Sequence, residues 1–216
     1  MKHQCLIKLL ALLGVVSATS ARADFSITFD SGPLSSEWSG AAAWSAGPGG
    51  WAGGGALQTT HTTAGWQGWT PTVNFDWGSG HQPDMINLAT AGNGRLAFDI
   101  LVDGSTFALG VSDWYQVSMA ANSGGGWTQL DGLVNGWHDQ NDNNLYVTHV
   151  DKSFAELNWV PGTGWFQLNF AANSGASPVR YYLDNVQVYS VTVPEPASFA
   201  LAGLSSVALL LARRRR

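Results

Sequence analysis

Apolar and polar residues alternate along much of this chain with a period of two. Phe25, Ile27 and Phe29 alternate with Asp24, Ser26, Thr28 and Asp30. Leu96, Phe98, Ile100 and Val102 repeat the pattern up to Asp103-Gly104, a pair suited to a hairpin turn into a strand over 106–111. Further strands are predicted over 114–119, around Leu145, Val147 and His149, around Phe166, Leu168 and Phe170, and over 179–191. A Gly-rich loop, Asn122-Ser123-Gly124-Gly125-Gly126, comes after the 114–119 strand. Period two sends successive side chains to opposite faces, so each segment reads as a strand with one face buried. No long stretch of the body repeats its apolar residues every 3.6 positions, and residues 154–157 suit at most one helical turn. Many short strands joined by Gly, Asn and Ser predict an all-β protein, a single β-sandwich or jelly roll.

Two segments depart from simple alternation. Residues 36–70 are rich in Gly, Ala and Trp, with Trp38, Trp44, Trp51, Trp66 and Trp69 among many glycines. They are expected to form long loops with one or two short strands, such as 56–60. In the last strand, Tyr181 and Leu183 share one parity while Val186 and Val188 share the other. Both pairs reach one core only if the strand carries a bulge at Asp184-Asn185.

The two ends are organised differently from the body. Lys2 and Lys8 precede an apolar run, and Ala21-Arg22-Ala23 comes next. Basic start, short apolar stretch and small residues at Ala21 and Ala23 predict a signal peptide over 1–23, cut after Ala23 by signal peptidase. Cys5 lies inside it and is the chain's one cysteine, so the mature body has no thiol and no disulfide. At the other end Pro194, Glu195 and Pro196 lead into 16 uncharged residues and then Arg213, Arg214, Arg215 and Arg216. Sixteen residues make a hydrophobic helix of roughly 24 Å, close to the length that inserts in a bilayer. The terminal arginines then stay inside, and the body, 24–193, is exported across the inner membrane.

The tail over 193–216 resembles the PEP-CTERM sorting signal of Gram-negative bacteria: Pro-Glu-Pro, apolar helix, arginine cluster, in that order. The resemblance implies recognition by an exosortase, cleavage near 194–196 and delivery of the body to the cell surface or extracellular matrix. It also implies a setting of exopolysaccharide and biofilm. The segments Ile27-Thr28-Phe29-Asp30-Ser31-Gly32 and Tyr181-Tyr182-Leu183-Asp184-Asn185-Val186 resemble the first and last strands of carbohydrate-binding-module-like jelly rolls. That resemblance implies a structural calcium site at Asp30 and Asp184, alongside the alternative of two polar residues in ordinary turns. Calcium suits a body whose available ligands are hard oxygens.

Charge narrows the partners. The whole chain carries −5, but seven of its ten bases lie in the two ends. Residues 24–193 hold three bases against fourteen acids, a net of −11. Such a body cannot neutralise phosphates, which excludes nucleic acid and disfavours anionic lipid. All eleven tryptophans lie in the body. Sugar rings pack on aromatic plates, so Trp114, Tyr115, Trp127, Trp137, Trp159 and Trp165, near strands or strand ends, are the candidate ligand-binding residues. Several tryptophans must instead fill the core. Asp139, Asn141 and Asn143 alternate as at the start of a calcium loop, but Asn144 and Val150 stand where such a loop needs Gly and Glu.

Catalytic motifs are absent: no nucleophile elbow, zinc-protease helix, phosphate loop or dinucleotide fingerprint occurs. No catalytic residue is assigned. Asp99 and Glu156 are the carboxylates in apolar surroundings where a raised pKa is to be sought. The sequence thus describes an exported, exosortase-processed, non-enzymatic β-sandwich that binds polysaccharide in matrix assembly. A structural matrix protein without a ligand and a polysaccharide hydrolase or lyase on the same fold are the alternatives.

Overall fold

The computed structural model describes residues 23–27, 29–30, 38–39, 43–49, 51–52, 54–74, 80–107, 113–138, 143–160, 166–175 and 179–191. The signal peptide expected before Ala23 and the C-terminal apolar helix with its arginines lie outside the described residues. So do Trp165 and the Asp139–Asp142 part of the polar cluster. Among the described residues no helix is long and apolar enough to cross a membrane.

Residues Ala23–Val191 form a compact unit of two antiparallel sheets. The strands are β1 (Ala23–Ile27), β2 (Trp38–Ser39), β3 (Ala43–Ser45), β4 (Ala56–His61), β5 (Gly65–Asn74), β6 (Gly94–Asp103), β7 (Asp113–Ser123), β8 (Gly126–His138), β9 (Leu145–Ser153), β10 (Gln167–Ser174) and β11 (Val179–Ser190). One sheet runs β3-β4-β11-β6-β9, with β1 also paired to β11. The other runs β2-β5-β10-β7-β8. Chain neighbours alternate between the sheets often enough that each face is built from distant segments, as in jelly rolls.

The alternation read along β6 is what closes the core. Leu96, Phe98, Ile100 and Val102 are all inaccessible and face inward, while Arg95 and Asp99 of the other parity are partly exposed. From the opposite sheet Tyr115, Val117, Met119, Leu168, Phe170 and Ala172 meet them. Phe98 and Phe170 join the sheets edge to face, centroids 5.3 Å apart at 88°. Such a pair adds about 0.5–1.5 kcal/mol to the burial of its two rings.

The parity conflict in the last strand is resolved by a bulge. The β11–β6 register shifts between Asp184 and Gln187, and Asn185 sits at φ 52°, a left-handed conformation that Asn tolerates. Tyr181, Leu183, Val186 and Val188 are then all buried.

Three local expectations are corrected. Asp103-Gly104 does not turn a hairpin. Residues Gly104–Thr106 form a short 3-10 turn, with the Asp103 side chain accepting from the Ser105 N–H. Residues Gln82–Ala91 form a helix, α1. Pro83 opens it, Gly92 closes it at φ 68°, and Met85, Leu88 and Ala89 form its buried stripe. That stripe is only three residues wide in a ten-residue helix, too little for a visible 3.6-residue period. The segment 36–70 holds more strand than expected, because β5 begins inside it at Gly65.

Candidate functional site

Four of the five exposed tryptophans among the described residues, Trp66, Trp114, Trp127 and Trp137, lie on strands of the five-stranded sheet, and the fifth, Trp44, stands on β3 of the other sheet. Tyr115 and Val117 of β7 point into the core, so Trp114 and Gln116 point away from it. Trp114 lies directly opposite Trp137 of β8, and antiparallel partners share a face. Trp114 is 39% exposed and Trp137 57%. Two residues further along, Gln116 faces Asn135 on one side and Asn173 of β10 on the other. Asn173 in turn faces Trp66 of β5, which is 52% exposed. Trp66, Asn173, Gln116 and Asn135 therefore form one row across four strands. Its ends lie three strand spacings apart, roughly 14 Å. The Trp114–Trp137 pair flanks that row.

This arrangement is aromatic plates beside amides, set across the strands at one end of the sheet. Indole faces pack on the apolar faces of sugar rings, and amides pair with hydroxyls. The row Trp66–Asn135 is not legible in the sequence, because the Gly- and Trp-rich segment around Trp66 reads as loop. Trp127, 58% exposed, faces Asn122 at the far end of β7 and stands apart. Eight residues of strand, about 26 Å, separate Asn122 from Trp114.

Two of the predicted ligand residues belong elsewhere. Tyr115 is buried and packs against Phe107 and Tyr146. Trp159 is buried between Phe154 and Phe166, which hold its ring edge to face on both sides. Both rings are covered by their neighbours. They fill the space between the sheets.

Beneath the aromatic end lies a buried polar network. His61 Nε2 donates to the Gly65 carbonyl at 2.6 Å, which leaves Nδ1 to accept from Ser174 Oγ at 3.1 Å. Burial holds the His61 pKa below its ordinary value. The Tyr181 hydroxyl donates to the Asn173 carbonyl at 3.0 Å, fixing β10 where the row crosses it.

The expected calcium carboxylates lie on the other sheet. Asp184 is fully buried at the bulge. Its Oδ2 accepts from Trp51 Nε1 at 2.8 Å and its Oδ1 from the Asn185 N–H at 2.7 Å. Burial pushes its pKa up; the two N–H bonds oppose that, and the charges of Asp30 and Asp99 add to it. Asp99 connects onward, accepting from Asn185 Nδ2 at 2.7 Å and pairing with His149 Nδ1 at 2.8 Å. Asp30 is held against the loop by Gly54, at φ 86°, where any Cβ would overlap its carboxylate. That is why the loop is glycine-rich: Trp51 can fold over Ala56, Leu101 and Tyr182 only if its neighbours pass this close. Among the described residues no group of three His, Cys, Asp or Glu side chains is set out to hold a metal. The donor set here is the Asp30–Asp184 carboxylate pair, with no basic side chain bonded to it.

Glu156, one of the two carboxylates singled out for a raised pKa, behaves otherwise. Glu156 is held at about 2, because the Ser153 N–H and hydroxyl donate to it and Lys152 pairs with it at 3.2 Å. Asp99 is engaged as above. An open cleft of about 470 Å³ lies between the edge strands β8 and β9. Its charged groups are already paired: Asp151 with Arg95 and Tyr189, Lys152 with Glu156, His149 with Asp99, Asp131 with Gln129.

Residues 192–216 match the PEP-CTERM protein-sorting motif, which marks the chain for export and exosortase processing. None of the curated protein sequences matches the chain. In fold the body is similar to carbohydrate-binding-module jelly rolls. One such structure is the CBM22-1 xylan-binding domain of Paenibacillus barcinonensis Xyn10C. It is 15% identical with a TM-score of 0.47, and the match covers 82% of this chain and 100% of that one. Another is the mannan-recognising module TmCBM27, 15% identical with a TM-score of 0.48, over 80% of this chain and 99% of that one. A third is the family 11 module of Lic26A-Cel5E from Clostridium thermocellum, 12% identical with a TM-score of 0.37, over 83% and 99%.

Proposed function

We propose that the exported body binds polysaccharide without cleaving it, on the outer face of the five-stranded sheet. The observation that carries this is the exposed Trp114–Trp137 pair beside the Trp66–Asn173–Gln116–Asn135 row. Soluble proteins rarely leave three large rings exposed on one patch unless a partner covers them. The row runs across the strands, so the ligand chain lies crosswise to them. The strands of this sheet contain Asp113 and Asp131 but no Lys or Arg. A polyanionic glycan would therefore meet no counter-charge, which leaves uncharged or cationic polymers. Together with the sorting tail, this supports a role for the binding face at the cell surface or in the matrix, in exopolysaccharide assembly.

Affinity electrophoresis and pull-down on insoluble polysaccharides test the reading. Trp114→Ala with Trp137→Ala should cost about 2 kcal/mol or more of binding, as anchoring tryptophans do. Trp127→Ala, far along the sheet, should change little. Equal losses from both, or no binding to any glycan, would remove the assignment.

We also propose that Asp30 and Asp184 hold a calcium ion whose role is stabilisation. Their adjacent, partly buried negative charge supports it. A melting temperature unmoved by calcium or by chelator would refute it.

A further inference from the structure

We propose that a glycan lying across the platform continues over the edge of β8 into the cleft between β8 and β9, and that His149 is the residue that reads it there. This rests on the polysaccharide-binding reading above and adds a second contact region to the same site, for an uncharged, hydroxyl-bearing chain long enough to reach both.

The row and the cleft meet at one residue. β8 slips its register opposite Val117 and Met119, and Gly132 sits in that irregularity at φ 63°. Asn135, the last amide of the row, donates through Nδ2 to the Gly132 carbonyl at 2.9 Å. A Cβ on Gly132 would lie 2.7 Å from Asn135 Nδ2 and 3.5 Å from Gln116 Nε2. Glycine therefore leaves a notch beside the two amides that end the row. The same Gly132 lines the cleft of about 470 Å³, with Leu130, Asp131, Leu133, His149 and Val150. β8 is the edge strand of its sheet and β9 of the other, so a chain lying crosswise to the strands leaves the platform at this edge. The row spans roughly 14 Å and packed sheets stand about 10 Å apart, so the path from Trp66 to β9 is about 24 Å.

The cleft offers what a sugar unit needs. Leu130 and Leu133 are half-buried and give it apolar wall for the C–H face of a ring. The His149 side chain is 64% exposed, yet its ring is held: Nδ1 donates to Asp99 Oδ1 at 2.8 Å, and Asp99 is fixed in turn by Asn185 Nδ2 at 2.7 Å. That pairing sets the tautomer, so Nε2 of the neutral ring is an acceptor on the other side. The exposed Asp131 carboxylate is a second acceptor, with one oxygen engaged by Gln129 Nε2 and the other to spare. Acceptors call for O–H groups, which every unit of a plain glycan carries. The cation that lines the cleft, Lys152, is tied to Glu156 at 3.2 Å, so an acidic sugar finds no free counter-charge in it.

Calorimetry with β-linked glucose, mannose and xylose oligomers tests this. In each series the trisaccharide is long enough for the row alone, and the hexasaccharide also reaches the cleft. In the series that binds, the hexasaccharide should bind more tightly. His149→Ala should weaken it about fivefold, the loss of a hydrogen bond or two, and leave the trisaccharide unchanged. The side chain is exposed, so the variant should fold, and its melting curve checks that. The His149 ring resonances should shift with the hexasaccharide and stay in place with the trisaccharide. Trp114→Ala with Trp137→Ala should weaken both lengths. If His149→Ala leaves the hexasaccharide untouched, or the two lengths bind alike, the extension fails while the platform stands. If His149→Ala weakens the trisaccharide equally, the histidine acts through the fold and not as a distal contact, and the proposal fails. If no series binds, both readings fall.

Discussion

Trp51→Phe is a sharp test of how the glycine-rich loop is held. The indole N–H is one of two donors to a fully buried carboxylate, and phenylalanine removes it while keeping most of the apolar cover over Ala56, Leu101 and Tyr182. Leaving a buried charged acceptor short of a donor costs about 2 kcal/mol. For a domain of this size that is a drop of about 4–8 °C in melting temperature. The pH profile then separates lost hydrogen bonding from lost packing. Burial raises the Asp184 pKa above its ordinary 3.8. The folded protein thus holds that proton more tightly than the unfolded chain does. The stability linked to it is fully present below 3.8 and is lost as pH rises through the folded-state value. Removing the Trp51 donor raises that value further, so the deficit of Trp51→Phe should be large at pH 7 and should shrink in acid. Asp184→Asn should flatten this part of the profile and remove most of the difference. Denaturant unfolding in chelator, from pH 4 to pH 7, measures all of this. Excess calcium should reverse the trend for the unmodified protein, because a bound cation stabilises the ionised carboxylate. A Trp51→Phe deficit that is the same at every pH would show that the ring, not its N–H, holds the loop.

Two further outcomes are expected. Buried His61 has its pKa lowered, so the unfolded chain takes up a proton near 6.5 that the folded protein refuses. Stability from this group is present above 6.5 and falls as pH drops below it; in Asp184→Asn, where the opposing slope is gone, unfolding free energies at pH 7 and pH 5 should expose the loss. Gly54→Ala puts a Cβ at a left-handed backbone position and into the Asp30 carboxylate, and should cost about 1–3 kcal/mol, read by thermal unfolding.

The sheets are legible in the sequence wherever a strand alternates apolar and polar residues. β6 and β10 do so with a neighbour on both sides, whereas β5, which also has two neighbours, offers Gly and Trp in place of that alternation. Even the bulge at Asp184-Asn185 is written in the parity switch between Leu183 and Val186. β8 is not legible as a strand, because its register slips opposite Val117 and Met119 and spends residues on an irregularity at Gly132, φ 63°. The site is half legible for a related reason. Composition shows that tryptophans are numerous, but a lone aromatic carries no sign of its face. Trp114 and Tyr115 are neighbours on one strand and point in opposite directions. Which one meets solvent is set by Val117 and Met119, two and four residues beyond Tyr115, a register known only once the core side is known.

The pairing of β1 with β11 joins the first strand of the domain to its last, Ala23 opposite Tyr189. Everything between must be delivered before that edge can form, which makes closure the slowest kind of contact a chain can make. The sorting motif begins at residue 192, directly after the end of the domain at Val191. The last strand of the domain thus runs in sequence directly into the sorting motif.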